Sequence, residues 1–495
     1  MSLPRGWANG GSRSAREVWN GPWPNTAFKK KLYRLSPNKV DEQIACTIQQ
    51  TKREQRRITV TPRGNEREVR ELLAHKVSGS HMGLWLLVPE YLRLGAWDLL
   101  QGLFGEDAHP LSGQLGLQIV NEAAVCLGRI RARGSLCHQG FSLVNGLSFL
   151  ATDESIHQVL DSHSMSEYEG MQQTLLRLRK LQAHYQDRNL VLALDPHRIP
   201  SATARMMPKK KKRPGQVSRK MLQTFFCTDV ATGQPLGFTL ASTGKTCSKA
   251  TLDLLRLIEE TGIQQGLVLA DKEHFTQAIC RYFHQHPGLD MLIPAPAISS
   301  VTRRFPSLTY QPLWAGYALA ETGFRYKDSP LAYRLLVQRE GERRGHYTYT
   351  GFLSTSTEQA QTLLTRVYDK RWSIEEFFNF EGDMGWNRAA TFNLNIRYGK
   401  MSLALLGQAA TYQLKSKLPA PYRQWSARTL AEKVLTNMEG DIRVRDDKII
   451  ITYYKDHEPL GLKDHYHNIS GQLEREGIDP RIPWLFDFKL EFRFK

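Results

Sequence analysis

The stretch "NLVLALD" (Asn189–Asp195) is a short apolar run that stops on an acid. Runs of this length bounded by polar residues read as buried strands. Near-continuous Val and Leu, without alternation, is the pattern of a strand covered on both faces. A second run of the same kind, "GLVLAD" (Gly266–Asp271), also ends on an acid. Between them "KMLQTFFCTDVATGQPLGFTLAS" reads as two strands around the turn "TGQP", and "SKATLDLLRLIEETGI" as a helix with Ser248 as its cap. The order strand, strand, strand, helix, strand predicts a mixed α/β sheet. Ligands and chemistry gather at the carboxyl ends of strands in such sheets, so Asp195 and Asp271 are candidate site residues. Acids also punctuate strand ends with no further role. With a third oxygen donor, the pair would suit a hard divalent cation.

Working outward, residues 1–80 are polar and basic, and are expected to form an arm that is partly disordered and partly helical between Val40 and Arg57. Residues 81–185 carry apolar residues at helical spacing. Within them "FSLVNGLSFLATDESIHQVLDSH" reads as two short helices, the second capped by Thr152 or Asp153, in the manner of a helix-turn-helix that contacts DNA. Any small helical domain also contains such a pair. Residues 186–420 form the α/β unit, interrupted at 280–356 by Tyr- and Thr-rich alternation that predicts antiparallel strands. Residues 421–495 read as an α+β region with a hairpin in "DIRVRDDKIIITYYK".

The segment "RVYDKRWSIEEFFNFEG" (Arg366–Gly382) reads as an amphipathic helix. At 100° per residue Tyr368, Arg371 and Glu375 share an arc of roughly 60°, bordering the apolar face of Leu363, Val367, Ile374, Phe377 and Phe378, while Glu376 points elsewhere. An i, i+4 Arg–Glu pair can also be a simple surface contact.

Charge narrows the partners. Lys and Arg number 67 against 49 Asp and Glu, a formal net charge of +18, which favours a polyanion, nucleic acid above all. "PKKKKRPGQVSRK" (Pro208–Lys220) holds seven basic residues and no acid, so Lys209, Lys210, Lys211, Lys212 and Arg213 are candidate DNA-backbone contacts, or else a solvated loop. Six cysteines form no C-x-x-C pair, so neither a zinc ribbon nor a disulfide framework is indicated. The N-terminus lacks the apolar core of a signal peptide. The most apolar helical stretch, "GLWLLVPEYLRLGAWDLL", is interrupted by Glu90, Arg93 and Asp98, so it reads as a buried helix and no membrane partner is expected.

The Tyr-x-x-Arg-x-x-x-Glu spacing of Tyr368, Arg371 and Glu375, with "LALDPHRIPS" and "LVLADKEHFT" ahead of it, resembles the bacterial insertion-sequence transposases of the DDE type with a Tyr-Arg-Glu-Lys signature. The resemblance implies a ribonuclease-H-like catalytic core with a β-rich insertion behind a helical N-terminal domain. It implies Asp195, Asp271 and Glu375 as catalytic metal ligands for Mg²⁺ or Mn²⁺, two ions, and Tyr368 and Arg371 at the DNA backbone. It implies cutting of double-stranded DNA at element ends, joining of the 3′-OH to target DNA, a homodimer on DNA, no nucleotide cofactor, and a cytoplasmic, nucleoid-associated location. Some relatives stack an aromatic from the insertion beside a flipped base; Trp314, the only Trp there, is the candidate, though it also reads as a core residue. The family's Lys falls here on Gly382, with Lys370, Arg388 or Lys400 as possible substitutes. A domesticated relative that binds DNA without strand transfer, or a metal-dependent nuclease of the same fold, are the alternatives.

Overall fold

The computed structural model describes residues 61–105, 110–127, 136, 139–181, 189–200, 209–210, 215, 217–241, 246–386, 391, 393–454 and 458–495. The expected helix between Val40 and Arg57 lies outside them.

The described chain begins, inside the stretch expected to be an arm, with helix α1 (Pro62–Ala74). Thr61 caps it by accepting the Gly64 N–H, Pro62 opens it, and Val69 and Leu73 bury one face. Strand β1 (Val77–Gly79) follows. The apolar stretch after it is buried as expected but is not one helix: a 3₁₀ turn over Met82–Leu87 gives way to a helical turn over Val88–Arg93. Gly95, at φ +61°, then breaks the chain before α2 (Ala96–Phe104). Helices α3 (Ser112–Ala124), α4 (Gln139–Val144), α5 (Asp153–Asp161) and α6 (Met165–Leu181) complete the helical body. Thr152 caps α5, accepting the Ser155 N–H at 3.1 Å. The exposed residues of α5 include Glu154, Gln158 and Asp161, and no Lys or Arg lies on that helix.

The core sheet follows. Strand β2 (Leu190–Pro200) lies between β4 (Arg219–Asp229), antiparallel, and β6 (Gln265–Ala270), parallel. The two-residue strand β3 (Lys209–Lys210) pairs with the start of β4, and β5 (Pro235–Ala241) returns along β4 beyond the turn at Gly233. Helix α7 (Cys247–Glu259), capped by Thr246 and not Ser248, leads to β6, and α8 (Gln277–Gln285) to β7 (Asp290–Pro294), parallel to β6. The spatial order β5-β4-β2-β6-β7, with only the last three parallel, is ribonuclease-H-like.

Strands β8 (Gln311–Trp314), β9 (Tyr317–Arg325), β10 (Ala332–Glu340) and β11 (Thr348–Ser354) form the antiparallel insertion. It is not a separate sheet. Leu353 of β11 pairs with Ile293 of β7, so the insertion extends the core sheet, and the described strands make ten in all. Strand β7, though within 280–356, belongs to the core.

Side-chain alternation assigns the two faces. Leu190, Leu192 and Leu194 pack with residues of α7 and α8 such as Leu254 and Ile279. Ala193 faces the other way, into a cluster with Phe226, Phe377 and Tyr398. There lie α9 (Ser373–Glu381) and the buried 24-residue α10 (Leu394–Lys417). The same cluster takes in the helical body and a C-terminal sheet of β1, β12 (Gly440–Arg445), β13 (Lys448–Tyr453), β14 (Arg481–Ile482) and β15 (Phe488–Phe494). No helix among the described residues is long and apolar enough to cross a membrane.

Candidate active site

Pairing between β2 and β6 ends at Leu194 and Ala270, and the next residue on each is an aspartate. Asp195 and Asp271 thus leave the sheet side by side. Asp195 does not end its strand, as its sequence suggests. β2 runs on to Pro200 against β4 alone, with Asp195 opposite Phe226. A strand with one neighbour tolerates Pro196 and Pro200 more readily than one paired on both sides. By alternation Asp195 projects on the face of Ala193, toward α9.

Asp271 caps a 3₁₀ turn, Lys272–His274. Its Oδ1 accepts the Glu273 N–H at 2.9 Å and stands 3.0 Å from His274 Nδ1. Nothing in the sequence pattern singled out His274. The only available signal is its place in the turn opened by a capping Asp.

The segment that carries Glu375 is not the single helix predicted for it. It winds as a π turn (Leu363–Val367), tightens to 3₁₀ (Tyr368–Trp372), and becomes α-helical only in α9. Its two ends pack on different clusters. Leu363 and Leu364 meet Leu269 and Phe352, while Ile374 and Phe377 join Phe226 and Trp386. The change of winding lets one segment serve both. The predicted partners nonetheless converge. Arg371 Nη2 donates to Glu375 Oε1 at 2.9 Å, and its Nη1 lies 3.7 Å from Asp195 Oδ1. The Tyr368 hydroxyl donates to the carbonyl of Ala270 at 3.4 Å, the residue before Asp271. Glu376 is exposed, as its phase predicts.

The electrostatics separate the two aspartates. Burial, then the facing charge of Asp271, pushes Asp195 up to about 7, with Glu375 adding and Arg371 opposing. For Asp271 burial is also the largest influence, but the His274 hydrogen bond, the Glu273 N–H and the Arg371 charge together hold the carboxyl below its usual range. Burial raises Tyr368 to about 12. Burial works against the Arg371 charge, yet Tyr368, Asp195 and Glu375 keep it above its usual range.

Among the described residues no three His, Cys, Asp or Glu side chains stand close enough together to hold a metal ion, and the Arg371 guanidinium joins Asp195 to Glu375. The donor chemistry still fits a hard cation. Asp195, Asp271 and Glu375 offer carboxylate oxygens only, and mutual repulsion is among the causes that hold Asp195 short of ionisation.

The other candidates lie farther off. Lys209 and Lys210 are strand residues and not loop, standing opposite Lys220 and Arg219. Asp195 pairs with Phe226, so this basic ladder lies roughly 20 Å along β4 from the acid, on the side to which β2 runs past it. Lys211, Lys212 and Arg213 lie outside the described residues. Trp314 is not in the core: it is 51% exposed on edge strand β8, stacked on Tyr317 at 4.5 Å between ring centres. Gly382 is buried. Of its possible substitutes, Lys370 is exposed, Lys400 is half-buried on α10, and Arg388 lies outside the described residues.

Residues 186–406 match the family described as transposase DDE domain, a span that contains all three acids. No curated protein matches the sequence of the chain. Among solved structures, a chain of the "Cryo-EM structure of piggyBac transposase synaptic complex with hairpin DNA" is similar at 11% identity and a TM-score of 0.38, over 65% of this chain and 69% of that one. Likeness at that level has no bearing on function. Residues 186–406 are therefore similar to a transposase DDE domain by sequence, on a sheet whose strand order is ribonuclease-H-like.

Proposed function

We propose that the chain is a DNA transposase that cuts double-stranded DNA at the ends of an insertion sequence and joins the freed 3′-OH to target DNA. The observation that carries this reading is the pair Asp195 and Asp271, side by side where the pairing of β2 with β6 ends, with Arg371 of a different segment bridging Asp195 to Glu375.

Asp195, Asp271 and Glu375 would hold Mg²⁺ or Mn²⁺, two ions in all, which when bound activate the attacking oxygen and stabilise the leaving one in displacement at phosphorus. The chain's own groups do the remaining work. Arg371 is half-buried and keeps its charge, so it can pair with a backbone phosphate once that phosphate competes for it with Asp195 and Glu375. Tyr368, tied to the Ala270 carbonyl, holds the Arg371 segment against the end of β6. Lys209, Lys210, Lys211, Lys212 and Arg213 hold the duplex backbone away from the reacting phosphate, and the exposed Trp314 offers a stacking face to a base. Two ends must be held together for the reaction, so a homodimer on DNA is the working assembly.

The test is a duplex carrying an element end, incubated with the protein and Mg²⁺ or Mn²⁺. Cation-dependent cleavage at the end, then joining to a target plasmid, is the expected result. Binding without cleavage in either cation would favour the DNA-binding relative that has lost strand transfer. Cleavage without joining would favour a nuclease.

A further inference from the structure

The turn after β6 is fastened from several sides. The Glu273 carboxylate is ion-paired with Arg198, three residues beyond Asp195 on β2. The Glu273 carbonyl accepts the thiol of Cys247 from the start of α7 at 3.7 Å. Asp271 Oδ1 is met by two groups at once, the Glu273 N–H at 2.9 Å and His274 Nδ1 at 3.0 Å. The His274 side chain is wholly buried, its ring edge-on to Phe225 at 6.2 Å between centres. Among the described residues its Nε2 has no hydrogen-bond partner.

These facts assign the proton. With hydrogen on Nε2, a buried donor would be orphaned and the Nδ1 lone pair would face a carboxylate oxygen; both are unfavourable. With hydrogen on Nδ1, the 3.0 Å contact is a hydrogen bond. Oδ1 then has a donor for each of its two in-plane lone pairs. No donor to Oδ2 is found among the described residues, and rotation about the last bond of an aspartate is soft unless something holds it.

We propose that His274 is a positioning residue for the reaction: by donating from Nδ1 to Asp271 Oδ1 it locks the carboxylate so that Oδ2 is presented to the divalent cation beside Asp195. The proposal rests on the reading of Asp271 as a cation ligand. It gives a physical role to a residue that touches neither DNA nor the ion. Groups that orient a ligating carboxylate commonly change metal affinity by about 10- to 100-fold when removed.

The test is titration of the DNA-free full-length chain with Mn²⁺, followed by calorimetry, with melting temperature recorded for every variant. His274→Asn places an amide N–H where Nδ1 stands, whereas His274→Gln carries the same amide one bond farther, where Nε2 stands. The two differ little in polarity, so a general effect of replacing a buried His falls on both. We expect His274→Gln to weaken Mn²⁺ binding by about 10-fold or more, and His274→Asn to restore most of the loss. Equal affinity of Asn and Gln variants, whether both match wild type or both fall, overturns the proposal. Asp271→Ala separates it from the reading beneath. Mn²⁺ binding that depends on Asp271 but is indifferent to His274 sinks the clamp alone, whereas binding that ignores Asp271 sinks both.

Discussion

The two aspartates and Glu375 are placed by different means. Asp195 and Asp271 are placed by backbone. Their strands share a parallel register that runs without interruption from Val191 opposite Leu267 to Leu194 opposite Ala270, and β4 braces the other side of β2. Glu375 is placed by side chains. Its segment changes winding twice, and packing on two hydrophobic clusters fixes where it lies. A hydrogen-bonded ladder confines a residue whatever its side chain is, while a packed helical turn holds only as well as its apolar contacts. The strand half of the site is therefore built to be rigid, and the helical half to depend on its core.

The largest effect that would break this comparison concerns the aspartates. Asp195→Ala and Asp271→Ala should each lower end cleavage by about 10³-fold or more, as loss of one member of a concerted set does, while leaving DNA binding intact. Filter binding and single-turnover cleavage of the same duplex check this. Loss of binding together with cleavage would mean that the acids hold the fold and not the chemistry.

Phe377→Ala sharpens the other half. Phe377 is buried against Phe226 and Trp386, with ring centres 5.9 and 5.0 Å away. Truncating it should cost about 3–5 kcal/mol of stability. Cleavage should fall even at temperatures where the variant stays folded, because Glu375 loses its support. A folded Phe377→Ala variant with normal cleavage would show that the ladder side alone suffices.

The next effect is a pH dependence. In the cation-free protein Asp195 ionises near 7, above the ordinary carboxylate value of about 4. The folded chain therefore keeps a proton that the unfolded chain has lost across that window, and this group's contribution to stability falls as pH rises from about 4 to about 7. Asp271, held low, acts in the opposite sense and loses its contribution only in more acid solution. Asp195→Asn cannot ionise. It should gain on wild type progressively between pH 4 and 7 and keep its advantage above, as thermal melting across pH will read. Parallel curves for the two proteins would contradict the burial of Asp195 and its crowding by Asp271 and Glu375.

The smallest expected effect lies farthest from the acids. Replacing Lys209, Lys210, Lys211 and Lys212 with Ser should lower affinity for end DNA and flatten the salt dependence by up to about one unit for each phosphate that these side chains no longer neutralise. Thermal stability should be unchanged, and Lys209 is exposed, in keeping with this. Identical salt slopes would show the ladder to be solvated only.

What could be read from the sequence follows the same division. The apolar runs before Asp195 and Asp271, the turn at Gly233 and the three strands between Tyr317 and Ser354 were legible because strand pattern is local. The continuation of β2 past Pro196 was not: β6 has already ended there, and that is a fact of tertiary pairing. The convergence of Tyr368, Arg371 and Glu375 was legible as a spacing, but the π and 3₁₀ turns that deliver it arise from packing between two clusters. Helix α1 had a local signature in Thr61, Pro62 and the spacing of Val69 and Leu73, obscured by the surrounding basic composition. His274 had only its place in a turn opened by a capping Asp, since its burial is created by the folded turn.

One measurement bears most directly on the claim that Asp195, Asp271 and Glu375 form a single cation-dependent site. It is single-turnover cleavage of an end duplex by wild type, Glu375→Ala and Glu376→Ala, each with and without Mn²⁺. The account predicts cleavage by wild type only when Mn²⁺ is present, loss of about 10³-fold or more for Glu375→Ala, and a change within roughly twofold for the exposed Glu376→Ala. Activity that survives Glu375→Ala but not Glu376→Ala, or cleavage that proceeds without a divalent cation, would contradict it.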